Sequence, residues 1–185
     1  MSTHADSEPV TAAELIRMPR GRIRRELVLG QVVEFPLRGA AEGAMLADLS
    51  LSLLDHVRSH DLGGVLGPGV GFHLSSNPDT VLAPAVSFVR RERLAGRAVA
   101  EEYFAGAPDL AVEVASPATP LAGRVARAGD WLTAGCRMVV LVSADDHTAT
   151  VYRPHGEAVV LTEADELDGA DVIPGWRLPV RELFV

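Results

Sequence analysis

Two carboxylates stand in one short apolar run. Residues 108–117 read PDLAVEVASP, in which Asp109 and Glu113 are separated by Leu110, Ala111 and Val112. Strand geometry over Asp109–Ala115 sends alternate side chains to opposite faces, so these two acids share a face. Pro108 and Pro117 suit the ends of a strand better than its middle. A carboxylate within such a run is costly unless it is paired or bound to a cation. Two chemistries answer that cost. Glu113 is a metal ligand, or a nearby arginine neutralises it.

Other reactive residue types favour plainer roles. His56 and His60 have the i, i+4 spacing of a two-histidine metal face, but no third ligand is close in sequence, and they read as surface histidines. Asp145, Asp146 and His147 fall in a turn and read as solvated. Cys136 is the sole cysteine, which excludes an internal disulfide and a paired-cysteine metal site. It follows Gly135 with no histidine near it, and reads as a buried thiol. Trp131 and Trp176 read as packing residues rather than base-stacking platforms. The glycines of GGVLGPGVG lead into neither a helix nor a Gly-Lys-Ser/Thr step, so they bend the chain rather than cradle a phosphate.

The charge narrows the partners. There are 25 acids against 17 bases, every base is arginine, and the net charge is −8. That balance argues against a generic nucleic-acid binder, though not against a local basic patch. The densest such patch is Arg17, Arg20, Arg22, Arg24 and Arg25, either a solvated face or a polyanion contact. A mechanism needing an ammonium finds no lysine in the chain. An apolar share of 48% with 23% charged residues is that of an ordinary globular protein. No apolar run approaches the roughly 20 residues that span a bilayer. MSTHADSEPV has neither the basic nor the apolar region of a secretory leader, and a reducing cytoplasm is the expected compartment.

The elements that would position the acids can be read in order. Residues 1–10 are expected to be disordered and 11–185 to form one domain. Thr11 and Glu14 have the form of a capping box opening a short helix. Arg24–Val28 and Gln31–Phe35 read as a hairpin turning at Leu29-Gly30, with Glu26 on its first strand. Gly39 to about His60 is a helix, with Leu46, Leu49, Leu53 and Val57 as its apolar stripe. Phe72–Leu74 and Ala85–Val89 read as strands around a turn at Ser75–Asp79, and a polar connection runs to Gly106. Thr119–Ala134 reads as a helix with Leu121, Val125, Ala128 and Leu132 on its apolar face. Arg137–Ser143 is a second buried strand, so the acid-bearing strand, helix and strand make a βαβ crossover with parallel strands. Thr148–Arg153 and Glu157–Thr162 pair as a hairpin. The tail is turn-rich and ends in a helical turn, Val180–Phe184. The fold class is α/β, a mixed β-sheet flanked by helices.

This order, through RRELVLGQVVE, NPDTVLAPAVSFVRRERL, PDLAVEVASP, WLTAGCRMVVLV, VYRP and VIPGWRLPVRELF, resembles the Uma family of putative restriction endonucleases in the PD-(D/E)XK nuclease superfamily. The resemblance runs from about Thr11 to Phe184 and implies a restriction-endonuclease-like fold. It implies metal-assisted phosphodiester hydrolysis of DNA, with carboxylates holding Mg²⁺ and a lysine orienting water. Matched onto this chain, the carboxylates are Glu26 and Glu113, and Asp109 opens the central motif in a structural role. The catalytic positions are then Glu113, Arg127 and Glu26, and the metal positions Glu113 and Glu26.

The sequence departs from that pattern where it matters. The family's metal-binding aspartate is replaced by Ala85, within Pro84-Ala85-Val86. Its lysine falls on Arg127, one helical turn before Trp131. Glu42 stands near a common histidine, Ser143 in place of an aspartate, and Leu29-Gly30 in place of Asp-Gly. Asp79 is a candidate replacement ligand, although it lies six residues before Ala85. Arg127 stays protonated and cannot act as a base, but it can bind phosphate or pair with a carboxylate. Three readings follow: a Mg²⁺-dependent nuclease; a silent relative that binds nucleic acid or protein, as a homodimer or alone; and a scaffold in which Glu26 and Glu113 pair with arginine. Arg127 within hydrogen-bond reach of Glu113 favours silence.

Overall fold

The computed structural model describes residues 8–19, 23–36, 39–94, 103–115 and 120–184. In chain order these hold α1 (Ala12–Arg17), β1 (Arg24–Val28), β2 (Gln31–Phe35), α2 (Ala40–Ser59), β3 (Gly63–Leu66), β4 (Phe72–Ser75), β5 (Thr80–Leu82), β6 (Val86–Arg90) and α3 (Arg91–Leu94). There follow β7 (Phe104–Ala105), β8 (Leu110–Val114), α4 (Leu121–Thr133), β9 (Met138–Ser143), β10 (Thr148–Tyr152), β11 (Val159–Leu161), β12 (Glu166–Asp168), β13 (Arg177–Pro179) and a 3-10 helix at Val180–Leu183. Arg20 and Arg22 of the basic cluster lie outside the described residues.

The run carrying Glu113 becomes β8, inside a six-stranded sheet ordered β11-β10-β9-β8-β6-β3. β8 and β9 pair in parallel, with Glu113 beside Leu141, and α4 connects them as the crossover requires. The other pairs in this sheet are antiparallel. A second sheet is ordered β2-β1-β5-β4-β7, and β12 with β13 makes a separate ribbon. One mixed sheet was the expectation; the α/β class holds, but the strands divide into two sheets and a ribbon. The division turns on β5, a three-residue strand absent from the sequence reading. It pairs with β1 through Leu27 and Val81. The chain leaves the small sheet at Leu82 and enters the large one at Val86, so Ala83–Ala85 is the joint between them.

Alternation along β8 feeds two cores. Leu110 and Val112 pack with Leu49, Leu53 and Val57 of α2, and with Ile173 and Trp176 of the C-terminal segment. Ala111 packs on the other side, with Ala128 and Trp131 of α4, Phe72 and Val139. Glu113, two residues on from Ala111, therefore faces α4.

Several local signals act as their chemistry dictates. Thr11 Oγ1 accepts from the Glu14 N–H at 3.3 Å, and Glu14 Oε2 accepts from the Thr11 N–H at 2.8 Å, completing the capping box. Nearby, Val10 N–H donates to the Gly30 carbonyl at 2.8 Å. The β1–β2 turn puts both Leu29 (φ 50) and Gly30 (φ 77) in the left-handed region. A leucine there is strained by roughly 1–2 kcal/mol. At Gly30 a Cβ would also lie 2.7 Å from Pro9 Cβ.

Four expectations need correction. The expected apolar face of α4 is only half used: Ala128 is buried and Leu132 partly so, whereas Leu121 and Val125 are exposed and Trp131, not expected on that face, is buried. β11 spans three residues where six were expected, because Glu157, Ala158 and Thr162 do not join the ladder. The polar connection before Gly106 contains a helical turn, α3, and the turn-rich tail contains the β12–β13 ribbon. Among the described residues, no helix is long and apolar enough to cross a membrane.

Candidate functional site

Glu113 meets α4 through two residues one helical turn apart, the spacing at which side chains on one helix face become neighbours. Arg127 Nε donates to Glu113 Oε1 at 2.9 Å, and Trp131 Nε1 donates to the same oxygen at 2.7 Å. The guanidinium continues into the small sheet. Arg127 Nη1 and Nη2 donate to Glu26 Oε2 and Oε1 at 2.5 and 2.8 Å, a two-pronged fork. Arg127 thus joins β8 of one sheet to β1 of the other.

Glu26 is 0% exposed. It has further donors: the Ala83 N–H at 3.1 Å and Arg24 Nη1 at 2.9 Å from Oε1. Arg24 Nη1 also donates to the Ala83 carbonyl at 2.6 Å, and its guanidinium carbon lies 4.3 Å from the centre of the Phe35 ring. Arg24 and Glu26, two apart on β1, are pinned together on the joint between the sheets.

The electrostatics balance within this group. Two carboxylates face two guanidinium groups. Burial works against the charged form of Arg127, but attraction to Glu113 and then Glu26 outweighs it and raises its pKa. The arginine is therefore a fixed cation. Ala85 stands where the resemblance implies a carboxylate. Its N–H donates to the Val112 carbonyl at 2.8 Å, and the antiparallel Val86–Val112 pair brings it opposite Glu113. At that place, fully buried, it offers only a methyl group.

Mg²⁺ takes about six oxygen ligands and is bound through carboxylates together with water and substrate oxygens. Here each carboxylate already accepts from cationic or neutral donors, and the third carboxylate is missing. A metal would have to displace Arg127 from both glutamates. Among the described residues no group of three or more His, Cys, Asp or Glu could hold a metal ion. The residues present do not fit a divalent cation.

The remaining candidates are occupied elsewhere. Asp109 accepts from the Arg90 N–H and from Arg93 Nη1, each at 3.0 Å, so it ties the start of β8 to the end of β6 and α3. Asp79 accepts from the Ala12 N–H at 2.7 Å, and that bond, with His73 nearby, holds its carboxyl below the usual range. It anchors α1. Ser143 donates to Asp146 Oδ2 at 2.7 Å. Glu42 lies in the first turn of α2. His56 and His60 stack with ring centres 4.2 Å apart, and His56 Nε2 faces the Pro174 carbonyl at 3.0 Å. Cys136 is buried, which pushes its thiol up to about 12. Trp176 Nε1 donates to Ser52 Oγ at 3.2 Å.

Sequence reasoning missed Arg24, the Ala83 N–H and the indole donor of Trp131. The Arg24–Glu26 spacing on one strand face and the Arg127–Trp131 turn were available signals. The partners across the sheets were not.

A family model described as Uma2, putative restriction endonuclease, matches residues 12–181. A crystal structure of a putative nuclease belonging to DUF820 from Anabaena variabilis ATCC 29413 is 20% identical, with a TM-score of 0.81. The match covers 95% of this chain and 98% of that one, and it shows a common fold. No curated protein matches the sequence.

Proposed function

The chain belongs to the Uma2 family of putative restriction endonucleases, and from that premise we propose that it is a catalytically silent nuclease-fold protein that binds DNA without cleaving it. One observation carries this reading: Arg127 bridges Glu26 and Glu113 where the family chemistry calls for a lysine beside a metal. Hydrolysis at a phosphodiester needs a group that activates water and charge that stabilises the leaving oxygen. Arg127 cannot take a proton from water, and no lysine exists in the chain to replace it. Its charge is already spent on the two glutamates. DNA is the partner that the family implies, and the fold that would present it is retained.

The test is calorimetric titration of Mg²⁺ and Mn²⁺ into the native protein and into the double variant Ala85→Asp, Arg127→Lys, with plasmid cleavage measured beside it. The native protein is expected to give no binding heat and no cleavage, and the double variant to bind metal. Metal binding by the native protein that disappears in Glu113→Ala would overturn the silent reading.

A further inference from the structure

A second group of arginines lies at the other end of the large sheet. Glu113 sits beside Leu141 near the end of β9, whereas Arg137 immediately precedes β9. Four residues of strand separate Arg137 from Leu141, about 13 Å. The register brings two more arginines to the Arg137 end. Arg153 follows Tyr152, which pairs with Val139, and Arg90 ends β6 beyond the Phe88–Leu110 pair.

All three arginines converge on one residue. Arg137 Nη2 donates to Asp171 Oδ2 at 2.5 Å, Arg153 Nη1 lies 3.8 Å from Asp171 Oδ1, and Arg90 Nη2 donates to the Asp171 carbonyl at 2.6 Å. Arg153 Nη2 also donates to the Asp168 carbonyl at 3.3 Å. The other carboxylate facing this group, Asp109, lies 3.8 Å from Arg90 but is taken at 3.0 Å by Arg93. Among the described residues, Arg137 and Arg153 therefore share the Asp171 carboxylate, while Arg90 holds the Asp171 carbonyl and shares Asp109 with Arg93.

Two further facts bear on what this group can bind. Arg137 Nη1 is buried and has no hydrogen-bond partner, the one such side-chain atom among the described residues. A buried donor without an acceptor is uncommon and costly. The Asp171 side chain, by contrast, is 71% exposed. An exposed carboxylate gains little from its pairing, so it is displaced at low cost.

We propose that Arg90, Arg137 and Arg153 form a phosphate site, and that Asp171 occupies it as an internal substitute. A carboxylate brings one charge and two acceptor atoms. A free or monoester phosphate brings up to two charges and three terminal oxygens, and a backbone phosphodiester one charge and two terminal oxygens; either places its acceptors where planar guanidinium donors reach them from several directions. The free or monoester form also balances the charge that Asp171 leaves over and carries one more acceptor than the carboxylate. The site is independent of the Glu26–Arg127–Glu113 group and holds whether or not that group takes metal.

The experiment titrates inorganic phosphate, and separately a short single-stranded oligonucleotide without terminal phosphates, into the full chain by calorimetry at fixed salt. The proteins are native, Asp171→Asn, Arg137→Gln and Arg153→Gln, each checked by thermal melting. Asp171→Asn is expected to tighten phosphate binding about fivefold. Arg137→Gln and Arg153→Gln are expected to weaken it about tenfold, since a charge-assisted hydrogen bond is worth that much or more. Oligonucleotide binding with the same pattern of losses assigns the phosphate to a nucleic-acid backbone; phosphate binding alone assigns it to a free or small-molecule phosphate. The proposal is overturned if neither probe binds, or if binding survives both arginine substitutions in folded protein. Unchanged affinity in Asp171→Asn overturns the role of Asp171.

Discussion

The two arginine groups differ in how fully their charges are answered. Around Glu26, two carboxylates meet two guanidinium groups, with an indole N–H and a backbone N–H filling further acceptor positions. Around Asp171, two guanidinium groups meet one exposed carboxylate, a third meets its carbonyl, and one buried nitrogen is left over. The same residue type thus closes one region and leaves the other receptive. Burial decides the energetic consequence: an ion removed from water depends on its partners, and an exposed one does not.

The sharpest way to break this contrast is to remove Arg127. Arg127→Ala leaves Glu113 without its cation and Glu26 with Arg24 alone. Breaking a buried pair costs about 3–5 kcal/mol, and Arg24 holds the loss near the lower end. Urea unfolding should show a loss of about 3 kcal/mol; a loss under about 1 kcal/mol would mean that the group is not the closed region described. Trp131→Phe is a finer probe. It keeps the ring in the core and deletes the donor to Glu113, so the same measurement should lose about 1.5 kcal/mol. The smallest effect belongs to the open region: Asp171→Asn should change stability by less than about 1 kcal/mol. A larger loss there would make Asp171 a structural clasp and erase the contrast.

The β8–α4–β9 crossover is legible in the sequence because both strands are apolar runs and the helix between them ends in glycine. The α1 cap is legible because Thr11 and Glu14 interact three residues apart. β5 is not, since Thr80–Leu82 is too short to show a period and is fixed by pairing with β1. Leu121 and Val125 continue the helical apolar spacing of α4 beyond the part that the core covers, so periodicity alone overstates its buried face. At the site, Glu113 is identifiable as a carboxylate in an apolar strand, whereas Glu26, Arg127 and the missing carboxylate at Ala85 are reached only through the family resemblance. Arg24 is reached by neither, because its partner carbonyl at Ala83 lies 59 residues away, on the joint that only β5 creates.

That joint also bears on the kinetics of folding. Arg127 meets Glu113 across 14 residues but Glu26 across 101. Closing the longer loop costs about 1.7 kcal/mol more chain entropy. The Glu113 pair can form with the crossover itself, whereas the Glu26 fork waits until the two sheets have docked. Contacts made after the rate-limiting step leave the folding rate alone and slow unfolding. If the sheets dock after that step, Arg127→Ala is expected to speed unfolding more than it slows folding, which stopped-flow kinetics would read directly.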